Sequence, residues 1–157
     1  MAFTITPACI GCRACAGICP TRAITGQKKS RHAIDPAICI ECRACGRVCP
    51  SGAVTDNFGL AVKRIPKKRW ERPWFNTDLC MSCTICIDTC PAGVIGQVLQ
   101  KVGSTHKLPF LENEAGCIAC GFCAQDCPVE AITMGPRPSA TKPAPAPKNT
   151  EPEKAEA

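Results

Sequence analysis

The chain has 157 residues and a formal net charge of +6, and it contains 16 Cys, 15 Pro and 12 Gly. With five Phe, two Trp and no Tyr, it lacks the side chains of an ordinary apolar core, so we expect metal ligation to supply folding free energy. The start MAFTITPACIGC has no basic and apolar leader, and no run of 18 apolar residues follows. These features argue against a secreted disulfide scaffold or a membrane-spanning protein, and predict a reducing, cytoplasmic location.

One cysteine pattern, CxxCxxCxxxCP, repeats along the chain. Its four copies use all 16 cysteines: Cys9 to Pro20 (CIGCRACAGICP), Cys39 to Pro50 (CIECRACGRVCP), Cys80 to Pro91 (CMSCTICIDTCP) and Cys117 to Pro128 (CIACGFCAQDCP). After each proline come two variable residues and then a small apolar pair: Ala23-Ile24, Ala53-Val54, Val94-Ile95 and Ala131-Ile132. An apolar residue follows each first cysteine: Ile10, Ile40, Met81 and Ile118. The repeated unit is therefore about twenty residues long.

The local sequence pattern predicts short strands and a helical turn around each motif. The segments TITPA, AIT, HAID and AVT are typical of short strands bounded by Pro and Gly. We expect the last two cysteines of each motif to lie on one helical turn, which the following proline ends.

The gaps between motifs group them into pairs. Nineteen residues separate Cys19 from Cys39, thirty separate Cys49 from Cys80, and twenty-six separate Cys90 from Cys117. The first two motifs also agree at eight of twelve positions, as expected of an internal duplication. We predict one module at residues 1–57 and another at 76–135, and we expect the longer gap of the second to carry an extra loop or helical turn.

The predicted linker, residues 58–75, is basic. It has six Lys or Arg from Lys63 to Arg72, together with Trp70 and Trp74. We favour a solvated connector whose tryptophans pack on a module. A docking segment for an acidic partner and a nucleic-acid contact are the alternatives.

The predicted tail, residues 136–157, is rich in Pro, Ala, Lys and Glu. It has six prolines and no Ile, Leu, Val or aromatic residue, so we expect it to be disordered. His32 and His106 are outside the motifs, and we expect both to be surface or loop residues.

Cysteines at this spacing favour an iron-sulfur cubane. A [4Fe-4S] cluster needs one thiolate per iron, and a CxxCxxC loop can present three to one face. Zinc prefers four tetrahedral ligands in two separated pairs, so the third cysteine would be surplus. Radical-generating clusters leave one iron open, whereas every set here has a fourth cysteine. We therefore predict electron-transfer clusters, no catalytic residue and no enzymatic activity.

The four motifs resemble those of bacterial-type two-cluster ferredoxins, and the chain is similar to two such proteins in tandem, over about 110 of 157 residues. The resemblance implies an α+β fold, with short hairpins and small helices wrapped around paired cubanes in each module. In that family the fourth cysteine of one motif ligates the cluster of the other motif.

Carried over to this chain, the resemblance implies four ligand sets. They are Cys9, Cys12, Cys15 and Cys49; Cys39, Cys42, Cys45 and Cys19; Cys80, Cys83, Cys86 and Cys127; and Cys117, Cys120, Cys123 and Cys90. A nested order, which pairs the first motif with the fourth and the second with the third, stays open as an alternative.

The predicted function is electron transfer, as a polyferredoxin or as the iron-sulfur subunit of a larger oxidoreductase. We expect redox enzymes or subunits as electron donor and acceptor. A membrane complex is compatible with this role as a partner. Four oxidised clusters with their thiolates bring the net charge to about −2, so nucleic acid is not expected. An iron-sulfur assembly or maturation factor and, more remotely, a zinc-dependent nucleic-acid-binding protein are the alternatives.

Overall fold

The first half of the chain is a symmetrical set of short strands and helices. The computed structural model describes residues 2–101 and 103–136, so the predicted tail beyond 136 lies outside it. The elements are β1 (Thr4–Ile5), α1 (Ala14–Ile18), β2 (Ile24–Thr25), β3 (Ala33–Ile34), α2 (Ala44–Val48) and β4 (Val54–Thr55). Strand β1 pairs with β4 and β2 with β3, both antiparallel. Each of the four segments predicted as strands thus contains one.

The second half repeats this plan with a longer hairpin. A 3₁₀ helix (Lys67–Arg69) precedes β5 (Arg72–Phe75), α3 (Ile85–Asp88), β6 (Ile95–Leu99), β7 (Lys107–Leu111), α4 (Phe122–Gln125) and β8 (Ile132–Gly135). Strand β5 pairs with β8, and β6 with β7. The longer gap between motifs extends the β6–β7 hairpin to five residue pairs, against two in β2–β3. Of the extra loop or helical turn expected there, the described residues show paired strand and a loop between β6 and β7, and no helical turn.

The helices hold the third cysteine of each motif inside the fold. Cys15 and Cys45 lie within α1 and α2, and Cys19 and Cys49 follow directly as their C-terminal caps in extended conformation. In the second half the third cysteine again lies in the helix, and the fourth follows one residue after the cap. The fourth cysteine therefore lies outside the helix, and the two cysteines are not both on the one helical turn expected from the sequence.

The small apolar pair of each repeat forms the module cores. All eight residues of these pairs are buried: Ala23, Ile24, Ala53, Val54, Val94, Ile95, Ala131 and Ile132. The repeated unit inferred from the sequence is thus a structural unit as well. The observed elements confirm the expected mixture of short strands and small helices.

One cluster of buried residues joins the two halves of the chain, and we call it the seam. Its buried members are Ala44, Trp70, Ile118 and Ala119, with Ile18, Cys42, Val48, Ile65, Ala92 and Cys120 packed against them. The Arg47 guanidinium donates a hydrogen bond across it to the carbonyl oxygen of Ala119.

The linker is folded into the seam through one of its two tryptophans. Trp70 is 2 % exposed, and its indole N–H donates to the carbonyl of Ile65 at 2.8 Å. The amide of Ile65 in turn donates to the carbonyl of Arg47 in α2. The packing predicted for the tryptophans is therefore found for Trp70, whereas Trp74, in β5, is 45 % exposed.

A glycine contact in α2 gives a stability prediction. A Cβ at Gly46 would lie 2.4 Å from the Cβ of Val62, whereas a Cβ at Gly17 in α1 would meet nothing within 4 Å. Gly46→Ala should destabilise the holoprotein by about 1–3 kcal/mol because of overpacking. The matched Gly17→Ala should stabilise an exposed helix by about 0.5–1 kcal/mol. Anaerobic guanidinium titrations should therefore shift in opposite directions, and equal shifts would contradict the close packing.

No helix among residues 2–101 and 103–136 is both long and apolar enough to cross a membrane.

Candidate metal centres

The sixteen cysteines line four separate cavities, four to each cavity. Site one has Cys9, Cys12, Cys15 and Cys49; site two has Cys19, Cys39, Cys42 and Cys45; site three has Cys80, Cys83, Cys86 and Cys127; site four has Cys90, Cys117, Cys120 and Cys123. Their empty volumes, in the same order, are about 290, 310, 480 and 340 Å³. Each cavity thus has three cysteines from one motif and the fourth cysteine of its neighbour, the grouping that the family resemblance implies.

Each cysteine loop contains two residues with left-handed backbone. The residue before the second cysteine and the residue after it both have positive φ, between 55° and 85°, in all four motifs: Gly11 and Arg13, Glu41 and Arg43, Ser82 and Thr84, Ala119 and Gly121. Left-handed residues in a turn direct successive amide N–H groups into a concavity that suits an anion, as at many iron-sulfur sites. Six of these eight residues are not glycine, so the loops maintain a conformation that L-residues rarely adopt.

The third cysteine of each site is a buried thiol. Burial raises the pKa of Cys45 and of Cys123 to about 12 and that of Cys86 to about 11, and it also raises the pKa of Cys15. These thiols are protonated at neutral pH without a metal, so ligation must release their protons. Metal affinity therefore rises with pH and falls on acidification.

Cys49 has the opposite environment. Burial acts to raise its pKa, but hydrogen bonds from the Ser51 hydroxyl and the amides of Ala53, Ser51 and Gly52 outweigh it, and the pKa is lowered. The amide of Ala53 donates to the Cys49 sulfur at 3.3 Å, and the Ser51 hydroxyl lies 3.5 Å from it. The hydrogen bonds thus favour the thiolate form of Cys49 relative to an ordinary thiol.

The Ser51 hydroxyl gives a prediction about redox potential. Hydrogen bonds to cluster sulfurs favour the more negative, reduced state. Ser51→Ala should lower the potential of one cluster by about 20–60 mV, equivalent to ~0.5–1.5 kcal/mol for one hydrogen bond. Ser51→Thr keeps a hydroxyl and should retain the native value. An anaerobic potentiometric titration monitored by electron paramagnetic resonance (EPR) measures both, and equal potentials in the two variants would argue against this bond.

One of the two histidines contradicts its sequence prediction. His32 is 1 % exposed and lines site one, whereas His106 is exposed as expected. The Nδ1 of His32 lies 3.1 Å from the carbonyl oxygen of Ser30, and its buried Nε2 has no hydrogen-bond partner in the described structure. Its neighbours in β3, Ala33 and Ile34, are less buried than His32, so they give no sequence signal of its burial. Its ring packs on Gly26, where a Cβ would lie 2.7 Å from the imidazole Cγ.

The donor chemistry of the four sites fits iron-sulfur clusters. Each site offers four thiols. Within the described residues, no three His, Cys, Asp or Glu side chains are grouped closely enough to hold one metal ion. The ligands of a cubane lie around its corners, one on each iron, and thiolates are its usual donors. Four cysteines around the wall of a cavity have the chemistry that such a cluster needs.

Comparison with known families decides the assignment. The 4Fe-4S dicluster domain family matches residues 8–53 and 38–94, and a second 4Fe-4S dicluster domain family matches residues 79–132. The chain belongs to the 4Fe-4S dicluster domain family. It is a ferredoxin-type protein with two-cluster domains in tandem and therefore four [4Fe-4S] clusters. Domains of this kind transfer electrons through their iron-sulfur clusters.

Individual relatives of this dicluster protein are more distant. It is 47% identical over 38 residues to a "Ferredoxin-like protein in nif region" of Trichormus variabilis (strain ATCC 29413 / PCC 7937), and equally to the protein of that name in Trichormus azollae. Each alignment covers 24% of this chain and 33% of the relative, so the chain spans about a third of the length of these curated relatives.

A solved structure also resembles this dicluster protein. It is a chain of the formate dehydrogenase, heterodisulfide reductase and formylmethanofuran dehydrogenase complex from Methanospirillum hungatei, with a TM-score of 0.40 and 22% identity over 86% of this chain and 53% of the other. A likeness at that level carries no argument about function.

Proposed function

We propose that this protein carries single electrons between two redox partners, using four clusters held at sites one to four. The observation that supports this most is the completeness of the ligand sets, because each site has four cysteines for four irons. A bound cluster takes up and gives back one electron without making or breaking bonds to a substrate. On this proposal, the chain is an electron carrier or a non-catalytic subunit rather than an enzyme.

The ligand assignment and the module bounds belong to the same proposal. The grouping of cysteines around four cavities supports pairing of neighbouring motifs over the nested order. We propose a first module at residues 1–57. The pairing of β5 with β8 supports a second module that begins at Arg72, four residues before the start expected from sequence. The linker is then shortened to residues 58–71.

The partners are proposed to be redox enzymes or subunits that supply electrons at one module and remove them at the other. The printed name of the Trichormus relatives, "Ferredoxin-like protein", agrees with a carrier role. A cytoplasmic location remains our prediction, because thiolate ligands are most easily kept reduced there. A free carrier and a subunit of a larger complex are both compatible with these domains.

Reversible reduction tests the proposed function. Anaerobically purified protein should contain iron and sulfide for four clusters, should bleach with dithionite and should recover its absorbance with a one-electron acceptor without losing iron. A donor of clusters would instead lose iron to an apo-acceptor protein, and that result would favour the assembly-factor alternative. Failure to bleach would exclude electron transfer in this potential range, whereas zinc in place of iron would contradict the cluster assignment.

A further inference from the structure

In the described residues, three buried clusters each contain, or have packed against them, cysteines of two different sites. Cys15 of site one and Cys45 of site two are buried together in the core of the first half. Cys86 of site three and Cys123 of site four are buried together in the core of the second half. The third cluster is the seam. Each core therefore places two metal centres next to each other.

The seam joins the two halves through sites two and four. Cys42 of site two and Cys120 of site four both pack against it, and the part of the seam that the structure describes contains no cysteine of site one or three.

Equivalent positions of the four repeats differ in exposure in the same way. The second cysteine is exposed in sites one and three, as Cys12 and Cys83, but half-buried in sites two and four. The residue after the first cysteine is 59% exposed at Ile10 and 56% exposed at Met81, but 4% exposed at Ile118. The sequence pattern is the same at these positions, so the difference arises from where each repeat lies in the fold.

We infer that the four sites form one continuous row in the order one, two, four, three, with its centre at the seam and its two ends open to solvent at Cys12 and Cys83. The order differs from the order of the motifs in the chain, because the second half packs on the first through its last motif. The role of this row in electron transfer rests on the proposed function. A donor and an acceptor outside the chain can then approach opposite ends, and one electron enters at one end for each that leaves at the other.

Two matched double variants of the full chain test the order. Cys12→Ala with Cys83→Ala removes a ligand from each end site, and Cys42→Ala with Cys120→Ala removes one from each central site. Both leave one complete site in each half. The reduced end-deleted chain should retain magnetic coupling between its two remaining clusters in EPR spectra, and the centre-deleted chain should lose it. The proposed order would be overturned by magnetic coupling in the centre-deleted chain alone. It would also be overturned by coupling in neither chain when the two complete sites of each variant hold their full iron.

A second measurement uses the unmodified holoprotein, since ligand variants can lose both modules. Anomalous scattering from iron in anaerobic crystals should show the clusters at Cys42 and Cys120 as the nearest pair between the two halves. Any other nearest pair would reject the order. The two failures are distinguishable: clusters in this order that dithionite cannot reduce would contradict the proposed function alone, whereas reversible reduction with another order would contradict the row alone.

Discussion

Replacing Cys19 with Ala is expected to destroy or alter the cluster held by the loop of the second motif and to spare the cluster held by the loop that contains Cys9. Cys19 follows helix α1 in extended conformation and lines site two, with the three loop cysteines of the neighbouring motif. The cavity of site one has its fourth thiol from Cys49 instead. Loss of one of four ligands should remove one iron or the whole cluster at that site, a change of one to four irons per chain.

Four single variants make this test decisive without assigning each cluster in advance. Cys42→Ala removes a loop ligand of site two, and Cys12→Ala removes one of site one. If fourth cysteines exchange between motifs, the spectrum of Cys19→Ala should match that of Cys42→Ala, and the spectrum of Cys49→Ala should match that of Cys12→Ala. Ligation within each motif would give the reverse grouping, and nested pairing would make Cys49→Ala alter a cluster of the second half. Mössbauer and EPR spectra of anaerobic samples distinguish these three results.

The local parts of this structure could be predicted from the sequence because they repeat. The cysteine spacing, the small apolar pairs and the strand segments occur in every unit, so each copy supports the others, and the buried pair Ala53 and Val54 is typical. The left-handed residues were harder to predict. Only Gly11 and Gly121 have the residue type that such a conformation favours, whereas Thr84 has φ of 64° despite its branched side chain.

The long-range parts could not be predicted, because no periodic pattern marks them. The seam groups Ala44 with Ile118 and Ala119, which lie more than seventy residues later in the chain in a motif of the same pattern. Strand β5 lies in a basic stretch that contains a proline, so its own sequence does not indicate a strand. It is a strand because it pairs with β8, about sixty residues later. His32 is buried because it faces the cavity of site one, a position that its neighbours in sequence do not reveal.

Replacing Trp70 with Ala is expected to produce the largest loss of stability among the non-ligand substitutions considered. Its side chain is almost fully buried in the seam, so truncation should cost about 3–5 kcal/mol through lost burial and the cavity left behind. Trp74→Ala is the matched control, because that tryptophan is 45 % exposed and should cost about 1 kcal/mol or less. Anaerobic guanidinium titrations of the two holoproteins, followed by the cluster absorbance, measure the difference.

The Trp70 variant also separates two roles of the seam. Trp70→Phe keeps an aromatic ring but loses the indole N–H that bonds to Ile65, so it should lose about 1 kcal/mol, far less than Trp70→Ala. If the seam sets the spacing of sites two and four, Trp70→Ala should weaken the magnetic coupling between the two halves while iron content is unchanged. Equal losses of stability in the Trp70 and Trp74 variants would show that the linker does not hold the modules together. Lost stability with unchanged coupling would indicate that the other buried residues of the seam, Ala44, Ile118 and Ala119, and the hydrogen bond of Arg47 to Ala119 fix the two halves.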